Sequence, residues 1–268
     1  MCGRYYRKGD KQKIAESFHA KLVDDGTPSP PWDYNVAPTT IQPIIRNRRD
    51  TNEREVVSIR WGLIPFFTKS LKDVKGVSTI NARAETVAKS PTYREPFKKR
   101  RCLVPASGFY EWKRLDEKNK QPFAFDLLNG RMMAFAGLWD GWKDPANGQW
   151  LQSYTIITTD ANELMAPVHN RMPVILHPSD YDRWLDRDSD PGRPPLDLLL
   201  PIPRRRDGSL RGQPRRRQCQ EQLPRTVEQQ VTLSSRCLCT PASLTVHLAP
   251  TSATAMARCL GAWTSILP

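Results

Sequence analysis

Short stretches in which apolar residues are enriched or alternate with polar ones dominate the first 185 positions of the chain. This pattern predicts β-strands. Eight stretches show it: residues 40–45, 56–61, 102–105, 108–112, 123–127, 132–138, 154–158 and 172–176. The polar residues 114–121 lie between two of these strands, and we expect them to form a hairpin loop.

An apolar repeat of four residues predicts one helix near the start of the chain. Ile14, Phe18 and Leu22 recur at the spacing of one helical face. Asp10 precedes them and has the short acceptor side chain that is preferred at an N-cap. The helix is therefore expected to begin after Asp10 and to include Leu22.

A second short helix is expected to start at Asp160 and to end before Pro167. Asp160 and Glu163 have the spacing of a capping box, and proline does not continue a helix. Eight strands with few helices predict an α+β fold. We expect an antiparallel, barrel-like β-sheet core.

The composition of the chain changes near residue 186. The last 83 residues contain 10 Pro, no Lys and a single aromatic side chain, Trp263. So little apolar surface does not offset an ordering entropy of about 1 to 2 kcal/mol per residue. We predict one folded domain over residues 1–186 and a disordered Arg- and Pro-rich tail over 187–268, with nothing beyond about residue 190 in the core.

The net charge of +13 is not confined to the tail, because residues 1–185 carry 29 Lys and Arg against 21 Asp and Glu. Basic clusters lie at positions 46–49 and 98–101. A polyanion partner and an ordinary solvated face both account for such clusters.

Cysteine usage indicates a reducing compartment. Residues 1–185 contain only Cys2 and Cys102, too few for a disulfide framework. Cys237, Cys239 and His247 match no standard zinc spacing, so we expect no metal and no cofactor. With no apolar run long enough to span a membrane and no signal peptide, a soluble cytoplasmic protein is predicted.

Cys2 is the candidate nucleophile. Methionine before a small residue is normally trimmed, which leaves Cys2 with a thiol and a free α-amine, both expected to be exposed. At pH 7 an α-amine is roughly 10% neutral, against below about 0.1% for a lysine amine. Amine and thiol together convert an aldehyde into a thiazolidine ring. The alternative is a small residue in a frayed terminus.

Three further segments carry polar residues that are candidates for catalysis or binding. Glu111 shares a strand face with Phe109, so its carboxylate is either solvated at a strand end or desolvated with a raised pKa that suits proton transfer. Asn81 and Arg83 share another face, where Asn orients a nucleophile and Arg binds phosphate. His169 lies in a polar turn as an acid, a base or a phosphate contact. Ordinary surface or structural roles also account for each residue.

Eight motifs together resemble one family, the SOS response-associated peptidases (SRAP), which are abasic-site processing proteins. The resemblance covers about residues 1–185. The motifs are MCGR at 1–4, YNVAP at 34–38, RWGLIP at 60–65, INARAET at 80–86, RCLVP at 101–105, GFYEW at 108–112, YTIIT at 154–158 and HNRMP at 169–173. Each motif alone is weak evidence for this family, but eight motifs in the same order are specific to it.

The resemblance implies a function and assigns roles to the residues above. Cys2 would form a stable thiazolidine with the ring-opened aldehyde of an abasic site in single-stranded DNA, and a related self-cleavage would remove the residue ahead of it. Asn81 would position the Cys2 amine, and Arg83 would hold a phosphate beside the lesion. Glu111 would relay protons, and His169 would assist opening of the abasic sugar. The implied protein is a monomer associated with the nucleoid.

The resemblance also implies contacts to the DNA strand, because single strands are bound by cationic grooves with aromatic stacking. Relatives often carry Trp near the positions of Phe66 and Phe67, where this chain departs from the pattern. The candidate contacts beside Arg83 are Arg4, Asn35, Pro38, Trp61, Phe66, Phe67 and Trp112.

The tail departs further from the family, whose members continue past Trp184 into a final strand that this sequence lacks. Translation in a shifted frame after about residue 186 explains the tail, and a genuine basic extension is the alternative. Loss of the final strand is expected to expose a sheet edge.

Two other functions remain open from the sequence. A class II glutamine amidotransferase also begins with Cys-Gly and uses its terminal amine as a base, although no further glutamine-site motif is found here. A non-catalytic single-stranded DNA-binding module would leave Cys2 idle. Incubation with abasic and with intact single strands, followed by a denaturing gel, separates these functions.

Overall fold

Short strands account for most of the regular structure. The computed structural model describes residues 2–23, 26, 32–74, 79–187, 194–202 and 210–214. The strands within these segments are β1 (Arg4–Arg7), β2 (Lys21–Leu22), β3 (Asp33–Val36), β4 (Ile41–Asn47), β5 (Arg54–Trp61), β6 (Asn81–Arg83), β7 (Arg101–Ala106), β8 (Gly108–Arg114), β9 (Lys120–Leu127), β10 (Met133–Lys143), β11 (Trp150–Asp160), β12 (Arg171–Pro173), β13 (Ile175–Leu176) and β14 (Leu210–Pro214). The α-helices are α1 (Lys11–Phe18), α2 (Arg94–Lys99) and α3 (Tyr181–Leu185).

Five strands close into a barrel. β4 pairs antiparallel with β5 and with β7, β7 pairs with β10, and β10 pairs with β11. A parallel pairing of β11 with β5, through Ser153 with Arg60 and Tyr154 with Trp61, completes the ring. The predicted α+β fold with a barrel-like core is confirmed, and its closing pair is parallel rather than antiparallel.

Alternation along the barrel strands separates an inner from an outer core. On β10, Met133 and Phe135 belong to the inner cluster, whereas Ala134 and Ala136 belong to the outer one. The outer cluster is covered by residues of the three helices, among them Ile14, Phe18, Phe97 and Trp184. Each strand thus buries both faces, which explains why several of them are apolar throughout.

A second sheet, in the order β14-β9-β8-β1-β3, packs against one end of the barrel. The Tyr5 ring on β1 lies 5.2 Å from Trp61 and 6.0 Å from Phe135, and Phe109 on β8 lies 5.9 Å from Phe135. These edge-on aromatic contacts bury the inner cluster at this end. Cys2 lies two residues ahead of β1 and belongs to the same cluster.

The first predicted helix is confirmed but is shorter than expected. Asp10 caps α1, because its Oδ1 accepts a hydrogen bond of 2.8 Å from the Lys13 amide. His19 then takes a left-handed conformation at φ 51°, which ends the helix. Leu22 consequently lies in β2. No helix in the described part of the chain has the length and hydropathy needed to cross a membrane.

The second predicted helix is wrong, because residues 163–168 form turns and Asp160 is still part of β11. Asn162 directs these turns: its backbone carbonyl accepts from the Ala166 amide, and its side chain accepts from the Met165 amide at 3.0 Å. A side chain that satisfies the backbone locally competes with a helix, and Pro167 removes the next amide donor.

Two segments of the predicted tail belong to the core, which corrects the expectation for residues beyond about 190. Leu199, in the 3₁₀ turn Leu196–Leu199, is buried in the outer cluster, and Leu210 is buried in the inner one. β14 pairs with the outer edge of β9, so that this edge is covered rather than exposed. Residues 203–209 and 215–268 lie outside the described residues, and the domain boundary at 186 stays a prediction.

Candidate active site

Cys2 lies where the second sheet meets the barrel. In the pairing of β1 with β8, Arg4 is opposite Tyr110, so the chain ahead of β1 runs toward Glu111 and Trp112. Cys2 is fully buried, at 0% exposure, which contradicts the expectation of an exposed terminus. Burial raises the pKa of its thiol well above the ordinary range, and the negative charge of Glu111 acts in the same direction. The thiol is therefore held neutral.

Asn81 contacts Cys2 directly. Its side-chain amide donates a hydrogen bond of 2.9 Å to the Cys2 carbonyl. β6, which carries Asn81, is a three-residue strand that pairs in parallel with β11. Two aromatic side chains fix this short strand: the Trp61 indole donates to the Ile80 carbonyl at 3.0 Å, and the Tyr93 hydroxyl donates to the Asn81 carbonyl at 3.3 Å. The structure thus brings Asn81 to Cys2 through the Cys2 carbonyl, and its predicted role of positioning the Cys2 amine stays a prediction.

Trp61 is not available to DNA, which corrects its prediction as a strand contact. The side chain has 0% exposure and lies between Tyr5 and Tyr154 in the inner core. Trp61 is the last residue of β5, and its side chain points into the barrel where β5 pairs with β11. Trp61 instead holds the strand that positions Asn81.

Glu111 occupies a desolvated position. The residue is 3% exposed on β8, on the face of Phe109, whose ring is stacked on Phe125 at 5.3 Å. Burial raises the pKa of Glu111 to about 7. Of the two environments that the sequence allows, the structure selects the apolar one, and the carboxyl group exchanges a proton near neutral pH.

His169 lies in the turn ahead of β12. Its Nδ1 lies 3.0 Å from the Arg171 amide nitrogen and 3.2 Å from the Arg171 carbonyl oxygen, so that the backbone of the turn fixes the position of the ring. Burial lowers the pKa of His169, and the positive charges of the chain terminus and of Arg171 lower it further. The same terminal charge acts on Glu111. Glu111 and His169 thus lie within electrostatic range of one terminus.

Arg171 joins two of the sequence motifs and was missed as a site residue. Its guanidinium forms a bidentate ion pair with Glu85, with distances of 2.7 and 3.0 Å, and a further contact of 2.8 Å with Asp160. It also donates to the Thr158 carbonyl at 2.6 Å. Because Thr158 is paired with Arg83 on β6 and with Pro173 on β12, Arg171 fixes the His169 turn beside the Asn81 strand. Glu85 lies in the motif at 80–86 and Arg171 in the motif at 169–173, so the opposite charges in these two motifs are the sequence signal for this ion pair.

The remaining candidate contacts differ in exposure. Phe66 and Phe67 are 63% and 54% exposed, and their rings meet edge to face at 5.3 Å. Arg83 is exposed, whereas Arg4, Asn35, Pro38 and Trp112 are half-buried. The turn of Pro38 is joined to the end of β5, ahead of Phe66, because the Thr39 amide donates a hydrogen bond of 2.9 Å to the Trp61 carbonyl. An exposed aromatic pair beside a rigid turn is suited to stacking with bases.

The site therefore combines a buried thiol, an amide that holds its backbone, a carboxyl group with a pKa near neutrality and a neutral imidazole. Such a set can transfer protons during carbonyl chemistry at a nucleophile. Within the described segments, no group of three His, Cys, Asp or Glu side chains is arranged to hold a metal ion. The tail residues Cys237, Cys239 and His247 lie outside those segments.

Comparison with known proteins places the chain in a family. The sequence profile described as SOS response associated peptidase (SRAP) matches residues 1–209. The abasic site processing protein YoqW of Bacillus subtilis strain 168 is 42% identical over 193 residues, which is 71% of this chain and 83% of that protein. The abasic site processing protein HMCES of Xenopus tropicalis is 34% identical over 238 residues, covering 75% of this chain and 71% of that protein.

Solved structures agree with the fold. A crystal structure of a protein from Bacteroides thetaiotaomicron matches with a TM-score of 0.70 at 27% identity, covering 82% of this chain and 94% of that chain. A second, from Bordetella bronchiseptica, matches with a TM-score of 0.66 at 30% identity and covers 80% of this chain and 100% of that chain. The barrel with its covering sheet is thus a recurrent architecture.

Proposed function

The chain belongs to the SOS response associated peptidase family, and on that premise we propose that it processes abasic sites in single-stranded DNA by linking Cys2 covalently to the lesion. The names of its relatives supply the substrate class. One observation carries the chemical assignment: the Asn81 amide donates a hydrogen bond of 2.9 Å to the Cys2 carbonyl, two residues ahead of β1, and β8, the neighbour of β1, carries Glu111.

Removal of Met1 precedes the reaction. Hydrolysis of the peptide bond ahead of Cys2 consumes one water, frees the first residue and creates the α-amine of Cys2. Glu111 is the group we assign to proton transfer in this self-cleavage, because its pKa is about 7.

Imine formation is the first step on DNA. The Cys2 amine attacks the aldehyde carbon of the ring-opened abasic sugar, and a C–N bond forms as the carbonyl π bond breaks. The Glu111 carboxylate takes the proton that the amine loses. The resulting carboxylic acid returns this proton to the former carbonyl oxygen, which gives the carbinolamine. A second proton, relayed from the nitrogen to the hydroxyl by the same carboxyl group, lets water leave as the C=N bond forms. A carboxyl group with a pKa near 7 serves both steps at neutral pH.

Ring closure gives a stable product. The Cys2 sulfur attacks the imine carbon, and the thiol proton moves to the nitrogen, so that one aldehyde, one amine and one thiol yield a thiazolidine and one water. A thiol that burial keeps neutral carries the required proton with it. The asparagine amide keeps the backbone of Cys2 in place through both steps.

His169 and Arg83 are assigned to the sugar and its phosphate. The neutral imidazole takes the proton of the hemiacetal hydroxyl and, as imidazolium, delivers it to the sugar ring oxygen as the C–O bond breaks and the aldehyde forms. Arg83 is exposed on β6, two residues from Asn81, and is suited to bind the adjacent phosphate. Phe66 and Phe67 would stack with neighbouring bases. Cytoplasmic location, nucleoid association and a monomeric state stay predictions.

The experiment that tests the proposal is adduct formation on abasic and intact single strands, followed by a denaturing gel without borohydride. We expect a durable adduct with the abasic strand alone. A Cys2→Ala chain retains an amine but not the thiol, so its imine should survive only after reduction. An equally durable adduct with Cys2→Ala would refute the thiazolidine. Glutamine hydrolysis without an adduct would favour an amidotransferase, and binding alone would favour a DNA-binding module.

A further inference from the structure

The barrel has a second end, away from the sheet that covers Cys2, and its inner positions there are polar. Arg46 lies two residues beyond Ile44 on β4, and Glu55 lies two residues before Val57 on β5, so both side chains follow the inner face. A cavity of about 630 Å³ opens at this end. We call it the barrel mouth, and it is lined by Arg46, Asn47, Arg49, Glu55, Lys99, Arg100, Trp139 and Arg187.

The floor of the barrel mouth is rigid. The Arg46 guanidinium lies 4.2 Å from the centroid of the Trp139 ring, and its Nε donates to Glu55 at 2.7 Å. Its Nη1 donates to the Gln152 side chain at 3.1 Å. Three barrel strands thus hold one arginine, whose charge is balanced by Glu55 and which therefore forms a fixed base rather than a free anion ligand.

The rim carries positive charge that is not balanced. Arg100 is paired with Asp140 at 3.0 Å, which neutralises one more cation. No carboxylate lies within ion-pair distance of Arg49, Lys99 or Arg187 among the residues that the structure describes. Five cations and two carboxylates leave a net charge of about +3 at the opening.

The rim also brings together the two basic clusters of the sequence. Arg49 follows β4, Lys99 ends α2, and Arg187 follows α3, so three separate elements deliver one cation each. Arg49 and Lys99 are exposed, which differs from a closed pocket that buries a single phosphate. Exposed cations spaced around an opening suit the successive phosphates of a polymer.

We propose that the barrel mouth is a second DNA contact, which binds phosphodiester groups outside the segment held at Cys2. This inference rests on the proposed function for the identity of the polyanion. Guanidinium groups bind phosphate oxygens with two parallel hydrogen bonds, and the volume lies within the range of about 300 to 1,000 Å³ found for ligand sites. The contact adds affinity without reading sequence.

The test measures binding of intact single-stranded DNA without abasic sites, so that it does not depend on covalent chemistry. The variant Arg49→Gln/Lys99→Gln removes two rim charges that lack carboxylate partners. For a 30-nucleotide strand we expect affinity to fall about tenfold near physiological salt, and the salt slope to fall by about 1.4.

A matched control removes the same charge elsewhere. Lys118 and Arg131 are exposed and lie in the loops on either side of β9, outside the barrel mouth. If Lys118→Gln/Arg131→Gln lowers the affinity for the 30-nucleotide strand as much as the rim variant does, the inference is overturned.

Two more outcomes distinguish the alternatives. A rim variant that loses binding of a mononucleotide but keeps its affinity for the long strand would assign the barrel mouth to a small phosphate ligand and overturn the DNA assignment. If the rim variant loses affinity for the long strand and the wild-type protein forms no adduct with abasic DNA, the inference is supported and the proposed function is refuted.

Discussion

The buried carboxyl group of Glu111 predicts an unusual dependence of stability on pH. Its pKa is raised by burial from an ordinary value of 4.5 to about 7. A raised pKa in the folded state means that Glu111 favours folding when it is protonated. This contribution is fully present below pH 4.5 and is lost as the pH rises through 7. The difference corresponds to about 3 kcal/mol in the free energy of unfolding.

Glu111→Gln removes this titration while keeping the shape of the side chain. Near pH 4 the variant and the wild-type protein should have similar stability, whereas at pH 8 the variant should be more stable by about 3 kcal/mol. Urea unfolding at several pH values measures the difference in unfolding free energy between the two proteins. The titrations of groups that do not interact with Glu111 cancel in this difference. Parallel curves for the two proteins between pH 4 and 8 would show that Glu111 is not desolvated.

The same substitution separates stability from chemistry. If Glu111 transfers protons, Glu111→Gln should slow adduct formation on abasic DNA by roughly 10²-fold. In the wild-type protein a titration near pH 7 should add to that of the Cys2 amine in the pH profile of the rate, whereas the variant should show the titration of the amine alone. Binding to intact strands should hardly change. A loss of plain DNA affinity in proportion to the rate would make the residue structural and refute its assignment as a general acid and base.

The other predictions concern the nucleophile, its support and the exposed aromatic pair. Cys2→Ala should leave an adduct that appears on a gel only after borohydride reduction. Asn81→Ala removes the hydrogen bond to the Cys2 carbonyl and should slow adduct formation at subsaturating DNA, whereas an unchanged rate would remove Asn81 from the site. Phe66→Ala/Phe67→Ala should weaken single-strand binding by about 1 to 3 kcal/mol per stacked base without a change in unfolding free energy. Leu128→Ala, at another exposed apolar position, is the control and should leave binding unchanged.

Local patterns in the sequence determined the positions of the strands, the cap of α1 and the side chains that share a strand face. The eight predicted strands are found as β4, β5, β7 to β11 and the pair β12 and β13, because alternation and β-branched enrichment describe a strand wherever it pairs. Asp10 caps α1 for an equally local reason, since its side chain reaches an amide three residues ahead. The shared face of Glu111 and Phe109 also follows from alternation alone.

Tertiary structure decided which of two local possibilities holds. Alternation places Glu111 beside Phe109 but does not show whether water reaches the carboxyl group, and only the packing of the second sheet on the barrel buries it. Cys2 and Trp61 are buried by the same packing, which is why the first is not exposed and the second does not contact DNA. Residues 163–168 form turns rather than the predicted helix because the Asn162 side chain accepts a hydrogen bond from the Met165 amide.

Pairing between distant segments decided the remainder. The ring closes through β5 and β11, which are more than 90 residues apart in sequence. The sequence of neither strand identifies the strand with which it pairs. Two basic clusters meet at the barrel mouth for the same reason. β14 joins β9 although its segment is poor in apolar residues, because backbone hydrogen bonds at a sheet edge require little from the side chains. Residue types and their local period are thus encoded along the chain, whereas burial and proximity are set by the closed barrel.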